Sequence, residues 1–344
     1  MITTATQDTT SKTITVVVSR GQSRNPEKRG LEQAVVELAG KVEGVDVIVI
    51  PHLYDLPKSS ESFAKLKDIE GDLVVVSWIF SRAAHWVLDR NGICGKVGKT
   101  QWTDEDKADD DSGESVASEA PSIEAEPTEV VDRVTDLYPR SDRQVYCLDL
   151  KAQNDPKVFV SELRRIMGLK EPSSDTVHLP IVGGQVVQVE EKTGRRWYPV
   201  IDFDRCTNCM ECIDFCLFGV YGVDHGENIL VEQPDNCRKG CPACSRVCPE
   251  NAIIFPQHKA PAIAGAEVDG DEGFKIDLSQ LFGAPTGSDD PIATAARERD
   301  EQLLLAGRDA VGIDDQLKKR QSDLAAGPKD RLDNLIDSLE AFDI

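Results

Sequence analysis

The sequence has few basic residues, few aromatic residues and no long apolar run. Lysine and arginine number 39 against 61 aspartates and glutamates, for a formal net charge of −22. A field of that sign repels phosphate backbones, so we expect no nucleic-acid binding and a protein partner with a basic docking surface. No stretch approaches 18 apolar residues, so we expect no membrane span. The first residues lack a basic region followed by an apolar stretch, so we expect a cytoplasmic protein.

The length of 344 residues predicts two or three domains. Residues 13–100 and 140–170 alternate between apolar, β-branched runs and segments with helical spacing. The runs Thr13–Val18, Asp46–Ile50 and Asp72–Ser77 are continuously apolar rather than alternating. Such strands, separated by helices, are typical of a parallel sheet that is covered on both faces. We therefore expect an N-terminal α/β domain with a parallel sheet.

The α/β pattern is interrupted by an acidic insertion at residues 101–139. Between Asp104 and Glu129 there are eleven acidic residues against the single Lys107, with Ser, Ala and Pro between them. A segment of this composition cannot bury enough apolar area to fold. The sequence predicts a disordered insertion.

The remaining sequence predicts a hairpin, a central domain and a helical arm. Within residues 180–201, Val186–Val189 and Trp197–Ile201 flank a Lys-Thr-Gly turn, which is typical of a β-hairpin leading into a central domain that spans residues 180–260. Residues 261–344 are predicted to be an acidic linker and a partly ordered helical arm. Its expected helices follow Asp290-Pro291 and carry a final apolar stripe of Leu332, Leu335, Ile336, Leu339 and Phe342.

Eight of the ten cysteines lie between Cys206 and Cys248. Reducing conditions in the cytosol argue against disulfides. Three thiolates spaced two residues apart on a curling loop can hold three corners of an iron–sulfur cube. The fourth cysteine of each run, which we expect to start a helix, reaches the other cube. The predicted ligands of cluster 1 are Cys206, Cys209, Cys212 and Cys248, and those of cluster 2 are Cys237, Cys241, Cys244 and Cys216.

These runs, together with a strand at Tyr198–Phe203 and the closing segment Cys248–Ile254, resemble a bacterial-type two-cluster ferredoxin domain over residues 198–258. The resemblance implies a ferredoxin-like α+β fold, two [4Fe–4S] clusters and electron transport. Leu217 replaces the proline that usually follows the fourth cysteine. Three residues, rather than two, separate Cys237 from Cys241. The extra residue leaves a labile or three-iron cluster as an alternative at that site.

Carboxylates around the cysteine runs predict low reduction potentials, because they disfavour a more negative reduced cluster. A zinc site is the weaker interpretation, because four cysteines within eleven residues do not form two separated knuckles around one ion. The carboxylates are Asp202, Asp204, Glu211, Asp214, Asp224, Glu232 and Asp235.

The N-terminal domain carries a second resemblance. The motif Arg20-Gly21-x-Ser23-x-x-Pro26 after the first strand, and the segment Phe80–His85 after the third, are similar to segments of the class II sirohydrochlorin and cobalt chelatases. The resemblance implies metal insertion into a tetrapyrrole, with His85 as a metal ligand. Those chelatases have a histidine where this chain has Arg20, and a guanidinium cannot bind a metal.

The sequence as a whole predicts a multidomain protein whose chemistry lies in its clusters. We expect a ferredoxin-type carrier or an electron-transferring subunit that is not an enzyme by itself. One alternative is a chelatase-like enzyme with accessory clusters. The other is a redox sensor whose clusters control binding to a protein partner.

Overall fold

The computed structural model describes five stretches of the chain: residues 13–102, 133–137, 141–169, 184–267 and 291–308. The chain forms two compact units, one up to Thr286 and the other from Gly287. In the described stretches, no helix is both long and apolar enough to cross a membrane.

The first unit is built on a sheet of six parallel strands. They are β1 (Ile14–Ser19), β2 (Val45–Ile50), β3 (Leu73–Ser77), β4 (Lys96–Val97), β5 (Gln144–Asp149) and β6 (Val186–Gln188). Their order in the sheet is β4-β5-β3-β1-β2-β6, which confirms the expected parallel α/β sheet.

Helices cover both faces of this sheet. Val16 and Val18 of β1 pack into one core and Val17 packs into the other, so the strand must be apolar at every position. The two cores explain why the sequence shows continuous rather than alternating apolar runs. The helices around the sheet are α1 (Pro26–Ala39), α2 (Glu61–Lys67), α3 (Ser81–Arg90) and α5 (Pro156–Met167). The short helix α4 (Val134–Leu137) precedes α5 in the chain and contacts the cysteine region instead.

The cysteine region follows the sheet within the same unit. It has two small antiparallel pairs, in which Val200–Ile201 pairs with Ile253–Ile254 and Tyr221–Val223 pairs with Ile229–Val231. These strands are β7 and β10, and β8 and β9, respectively. Its helices are α6 (Glu211–Phe215), α7 (Ala243–Val247) and α8 (Pro261–Ala264).

The predicted hairpin before the cysteine region is wrong. Val186–Gln188 lies parallel to β2 at the edge of the large sheet, with Val186 opposite Val47. Tyr198 instead stacks on Tyr54, with ring centroids 4.3 Å apart. The open edge of β2 offers unpaired backbone groups to the Val186 segment, a long-range pairing that a local turn pattern cannot reveal.

Residues 133–137 within the acidic insertion are ordered, which corrects in part the expectation of disorder over residues 101–139. Val134, in α4, is buried, and its backbone N–H donates to the carbonyl of Cys206 over 3.0 Å. The Arg133 guanidinium contacts Glu250 at 2.7 Å. An apolar residue with a basic neighbour thus anchors residues 133–137. Residues 103–132 and 138–139 of the insertion lie outside the described residues.

In the second unit, the described residues form α9 (Pro291–Leu305). This helix confirms the one expected after Asp290-Pro291. The apolar stripe from Leu332 to Phe342 lies outside the described residues.

Candidate functional site

The first cysteine run lies on a tightly curled loop between β7 and α6. Asn208 and Met210 have left-handed backbones, with φ of 59° and 64°. Asn tolerates this conformation better than most residues because its short side chain can hydrogen-bond locally. The Asn208 amide donates to the Glu227 carbonyl and accepts from the backbone N–H of Ile229, each over 2.9 Å. The β8–β9 hairpin therefore holds the loop in its curled shape.

Four thiols line one small cavity at this loop, those of Cys206, Cys209, Cys212 and Cys248. Burial raises the pKa of Cys206 to about 11, and the nearby Cys248 and Cys209 thiols contribute to the increase. Burial also raises the pKa of Cys212 to about 12, and the same two thiols, with Cys206, add to it. The structure thus places Cys248 of the second run beside the cysteines of the first.

The other four cysteines form a second group. Burial raises the pKa of Cys244, and the neighbouring thiols of Cys237, Cys216 and Cys241 raise it further. The pKa of Cys237 is raised by burial and then by Cys241 and Cys216. Cys216 of the first run therefore lies near the cysteines of the second run, close enough for their charges to interact.

The sequence predicts that the fourth cysteine of each run starts a helix, and this prediction is wrong. Cys212 lies within α6 and Cys216 directly follows it, while Cys244 lies within α7 and Cys248 follows that helix. Each helix begins one residue before the third cysteine and ends one residue before the fourth. A helix at this place carries the fourth thiol away from the loop that holds the first three.

The donor set fits an iron–sulfur cluster better than a single metal ion. Within the described ranges, no three Cys, His, Asp or Glu side chains are close enough together to hold one ion. A cube separates its thiolate ligands more widely, since irons and sulfides lie between them, and Cys thiolates are its usual ligands. Four thiols around a small cavity are consistent with that wider arrangement.

Hydrogen bonds reach the cysteines from residues that the spacing of the motif does not indicate. The Tyr221 hydroxyl donates to Cys244 Sγ over 3.1 Å, and the backbone N–H of Ala252 donates to Cys248 Sγ over 3.2 Å. Trp197 Nε1 donates to the Cys241 carbonyl over 3.2 Å. Hydrogen bonds to sulfur are among the features that set a cluster's potential. Tyr221 and Trp197 are far from these cysteines in sequence, so only the fold brings them together.

Two of the carboxylates expected to lower the potentials form ion pairs. Asp202 is buried against Arg82, and Asp235 contacts Arg196 at 2.6 Å. A paired carboxylate adds less negative potential than a free one, so these two contribute less than the sequence analysis expected.

The two segments that resemble chelatases line different cavities. Arg20 lines a cavity at the carboxyl ends of β1 and β2. His85 is 2% exposed in α3, and it lines a smaller cavity with Arg82 and Asp202. The structure therefore does not bring the two segments together around one metal.

Comparison with known proteins finds relatives over a limited part of the chain. An uncharacterized ferredoxin of Methanocaldococcus jannaschii is 52% identical over 66 residues, which are 19% of this chain and 44% of that protein. The pyruvate synthase subunit PorD of the same organism is 37% identical over 67 residues, 19% of this chain and 76% of the subunit. A ferredoxin of Methanothermococcus thermolithotrophicus is 36% identical over 59 residues, 17% of this chain and 95% of its own length. The chain belongs to the ferredoxin family.

Membership of the ferredoxin family supports an iron–sulfur electron-transfer role. The matches cover about a fifth of the chain, and the chain spans less than half the length of the first of these relatives. No protein-family model and no solved structure matches the chain. The comparisons give no support to the chelatase resemblance.

Proposed function

We propose that this ferredoxin-family chain binds two [4Fe–4S] clusters and transfers single electrons between redox proteins. The grouping of the thiols carries the proposal, because each group takes three cysteines from one run and the fourth from the other. When bound, the clusters supply one-electron transfer. The proposed ligands are Cys206, Cys209, Cys212 and Cys248 for cluster 1, and Cys237, Cys241, Cys244 and Cys216 for cluster 2.

The chain's own residues shield the clusters and fix the positions of their ligands. Apolar side chains, among them Ile229, Ala252 and Ile253, line the first cavity. Burial keeps the thiols protonated while no metal is bound, so binding must release protons and is favoured at higher pH.

We further propose that the partner is a redox protein in the cytoplasm. The relative PorD is a subunit of pyruvate synthase, which supports a role as the electron-transferring subunit of a larger enzyme. The formal net charge of −22 favours a partner with a basic docking surface.

Iron and sulfide counts on anaerobically purified protein test the proposal. We expect about eight irons per chain, and about four in Cys209→Ser and in Cys237→Ser. Cys94→Ser is the matched control, since Cys94 is exposed and belongs to neither group. Full iron content in Cys209→Ser would contradict the assignment of cluster 1. Full iron content in Cys237→Ser would show that the extra residue before Cys241 has removed Cys237 from cluster 2.

A further inference from the structure

A cleft of about 750 Å³ lies outside the carboxyl ends of β1, β2 and β6. Its walls come from α1 and from the chain that follows β6. Ligands of open α/β sheets bind outside the carboxyl ends of the strands. The volume is within the range of small-molecule sites. No part of the proposed electron-transfer function uses this cleft.

Four carboxylates line the cleft, and other groups of the protein satisfy each of them. Glu32 accepts from Gly21 N, Trp78 Nε1 and Arg29 Nη1 over 2.7–2.8 Å. Asp55 accepts from the Gln22 and Gln257 amides and from the Arg196 backbone N–H. These two carboxylates are held inward, as parts of the wall.

The other two carboxylates are on the segment that follows β6. Glu191 accepts from the backbone N–H and hydroxyl of Ser62, and Glu190 accepts from the Gln188 amide. Each carboxylate is thus already used in a hydrogen bond within the protein.

Two guanidinium groups of the same cleft are not used in this way. The guanidinium groups of Arg20, at the end of β1, and of Arg195, after β6, form no hydrogen bond or ion pair with any residue that the structure describes. Each guanidinium offers five N–H donors in a planar fork that matches a carboxylate or a phosphate. Two unpaired guanidinium groups on one cleft are unexpected in a chain with a net charge of −22.

Besides the two arginines, both polar and apolar side chains line the cleft. His52 lines it, with a side chain only 10% exposed and Nδ1 lying 3.3 Å from Asp55. Thr193 and Gln33 also line it, as do the buried Val18 and Val49. A few converging polar groups on an apolar base are typical of a small-molecule site.

We propose that this cleft binds a small anionic molecule, whose carboxylate or phosphate group is held by Arg20 and Arg195. The site is a ligand site and not a metal site, because no group of side chains in the described residues could hold an ion and a guanidinium cannot coordinate a metal. The proposal does not depend on the clusters, so it can be tested independently of the electron-transfer function.

Calorimetric titration of the full chain with inorganic phosphate and with citrate, at constant ionic strength, tests the proposal. We expect saturable binding of at least one probe. Binding of phosphate alone identifies a phosphorylated ligand, and binding of citrate alone identifies a polycarboxylate. Arg20→Gln and Arg195→Gln should each weaken binding about tenfold or more, since each removes charged hydrogen bonds. Arg20→Lys keeps the charge but not the fork, so it should retain part of the affinity.

Arg24→Gln is the matched control, because Arg24 is exposed on the same loop and does not line the cleft. Its binding should equal that of the unmodified protein. Circular dichroism of each variant, compared with that of the unmodified protein, separates lost binding from lost folding. The proposal is overturned if neither probe binds saturably. It is also overturned if Arg24→Gln weakens binding as much as the folded Arg20 and Arg195 variants do.

Discussion

At the scale of single residues, Tyr221 contacts a ligand of the proposed cluster 2 and should help to set its reduction potential. Its hydroxyl donates to Cys244 Sγ over 3.1 Å in a buried environment. A donor to a ligand sulfur stabilises the added negative charge of the reduced state. Tyr221→Phe should therefore lower the midpoint potential of cluster 2 by about 40 mV, which is the equivalent of about 1 kcal/mol for one electron.

A potentiometric titration followed by EPR measures this change. Tyr146→Phe is the control, because Tyr146 lies in β5 and is a neighbour of Gly98 rather than of a cysteine. It should leave both potentials unchanged. An unaltered or raised potential in Tyr221→Phe would rule out a role for the hydroxyl in setting the potential.

The features of the candidate site that depend on residues close together in sequence could be predicted. The cysteine spacing predicts two crossed groups because three ligands of each group lie within a few residues of one another. The hydrogen bond from Tyr221 could not be predicted, since 23 residues separate it from Cys244 and only the fold brings them together. Arg20 stood out in the sequence as the replacement of a metal-binding histidine, but the cleft that it lines depends on β6.

At the scale of elements, α4 shows how a short segment supports the first cysteine loop. Val134 is 5% exposed, and its backbone N–H donates to the backbone carbonyl of Cys206. Val134→Ala removes two buried methyl groups, so we expect a loss of about 1.5–2 kcal/mol in the free energy of unfolding. The loop should also become more accessible, and the cluster absorbance should bleach faster in air.

Chemical denaturation and the rate of bleaching test this expectation. Val97→Ala makes the same chemical change at a valine that is 57% exposed, and should alter neither quantity. Equal effects in the two variants would mean that α4 does not support the loop.

Elements with a strong local pattern were predicted well, and those defined by distant pairing were not. Strands β1, β2 and β3 lie within one residue of the runs Thr13–Val18, Asp46–Ile50 and Asp72–Ser77, because a continuous apolar, β-branched run is a local signal. Strand β6 is only three residues long and is paired with β2, so its place in the sheet depends on a partner far away in sequence. Helix α4 lies in an acidic segment whose average composition hides the buried Val134.

At the scale of the molecule, the α/β sheet and the ferredoxin region lie within one compact unit that ends at Thr286. The sequence predicts them as separate domains, because their compositions differ and contacts between them leave no periodic pattern. The buried contacts are specific: Arg82 of α3 pairs with Asp202 and donates to the Asn251 carbonyl, and Tyr54 exchanges hydrogen bonds with the backbone of Tyr198.

This junction should make the two regions unfold together. The Arg82 and Asp202 side chains are each 4% exposed. Among the described residues, Arg82→Ala therefore leaves the buried carboxylate with only the more distant Arg205, at 3.6 Å, as a cation. Removing one partner of a buried pair costs about 3–5 kcal/mol. In the unmodified protein, loss of helical circular dichroism and bleaching of the cluster absorbance should therefore share one midpoint in denaturant. In Arg82→Ala, bleaching should come first, since the ferredoxin region loses one of its buried contacts with the α/β region. Lys96→Ala breaks an ion pair at the surface, where such pairs contribute little, and should keep the two transitions together. Separate midpoints in the unmodified protein would show that the two regions are independent despite these contacts.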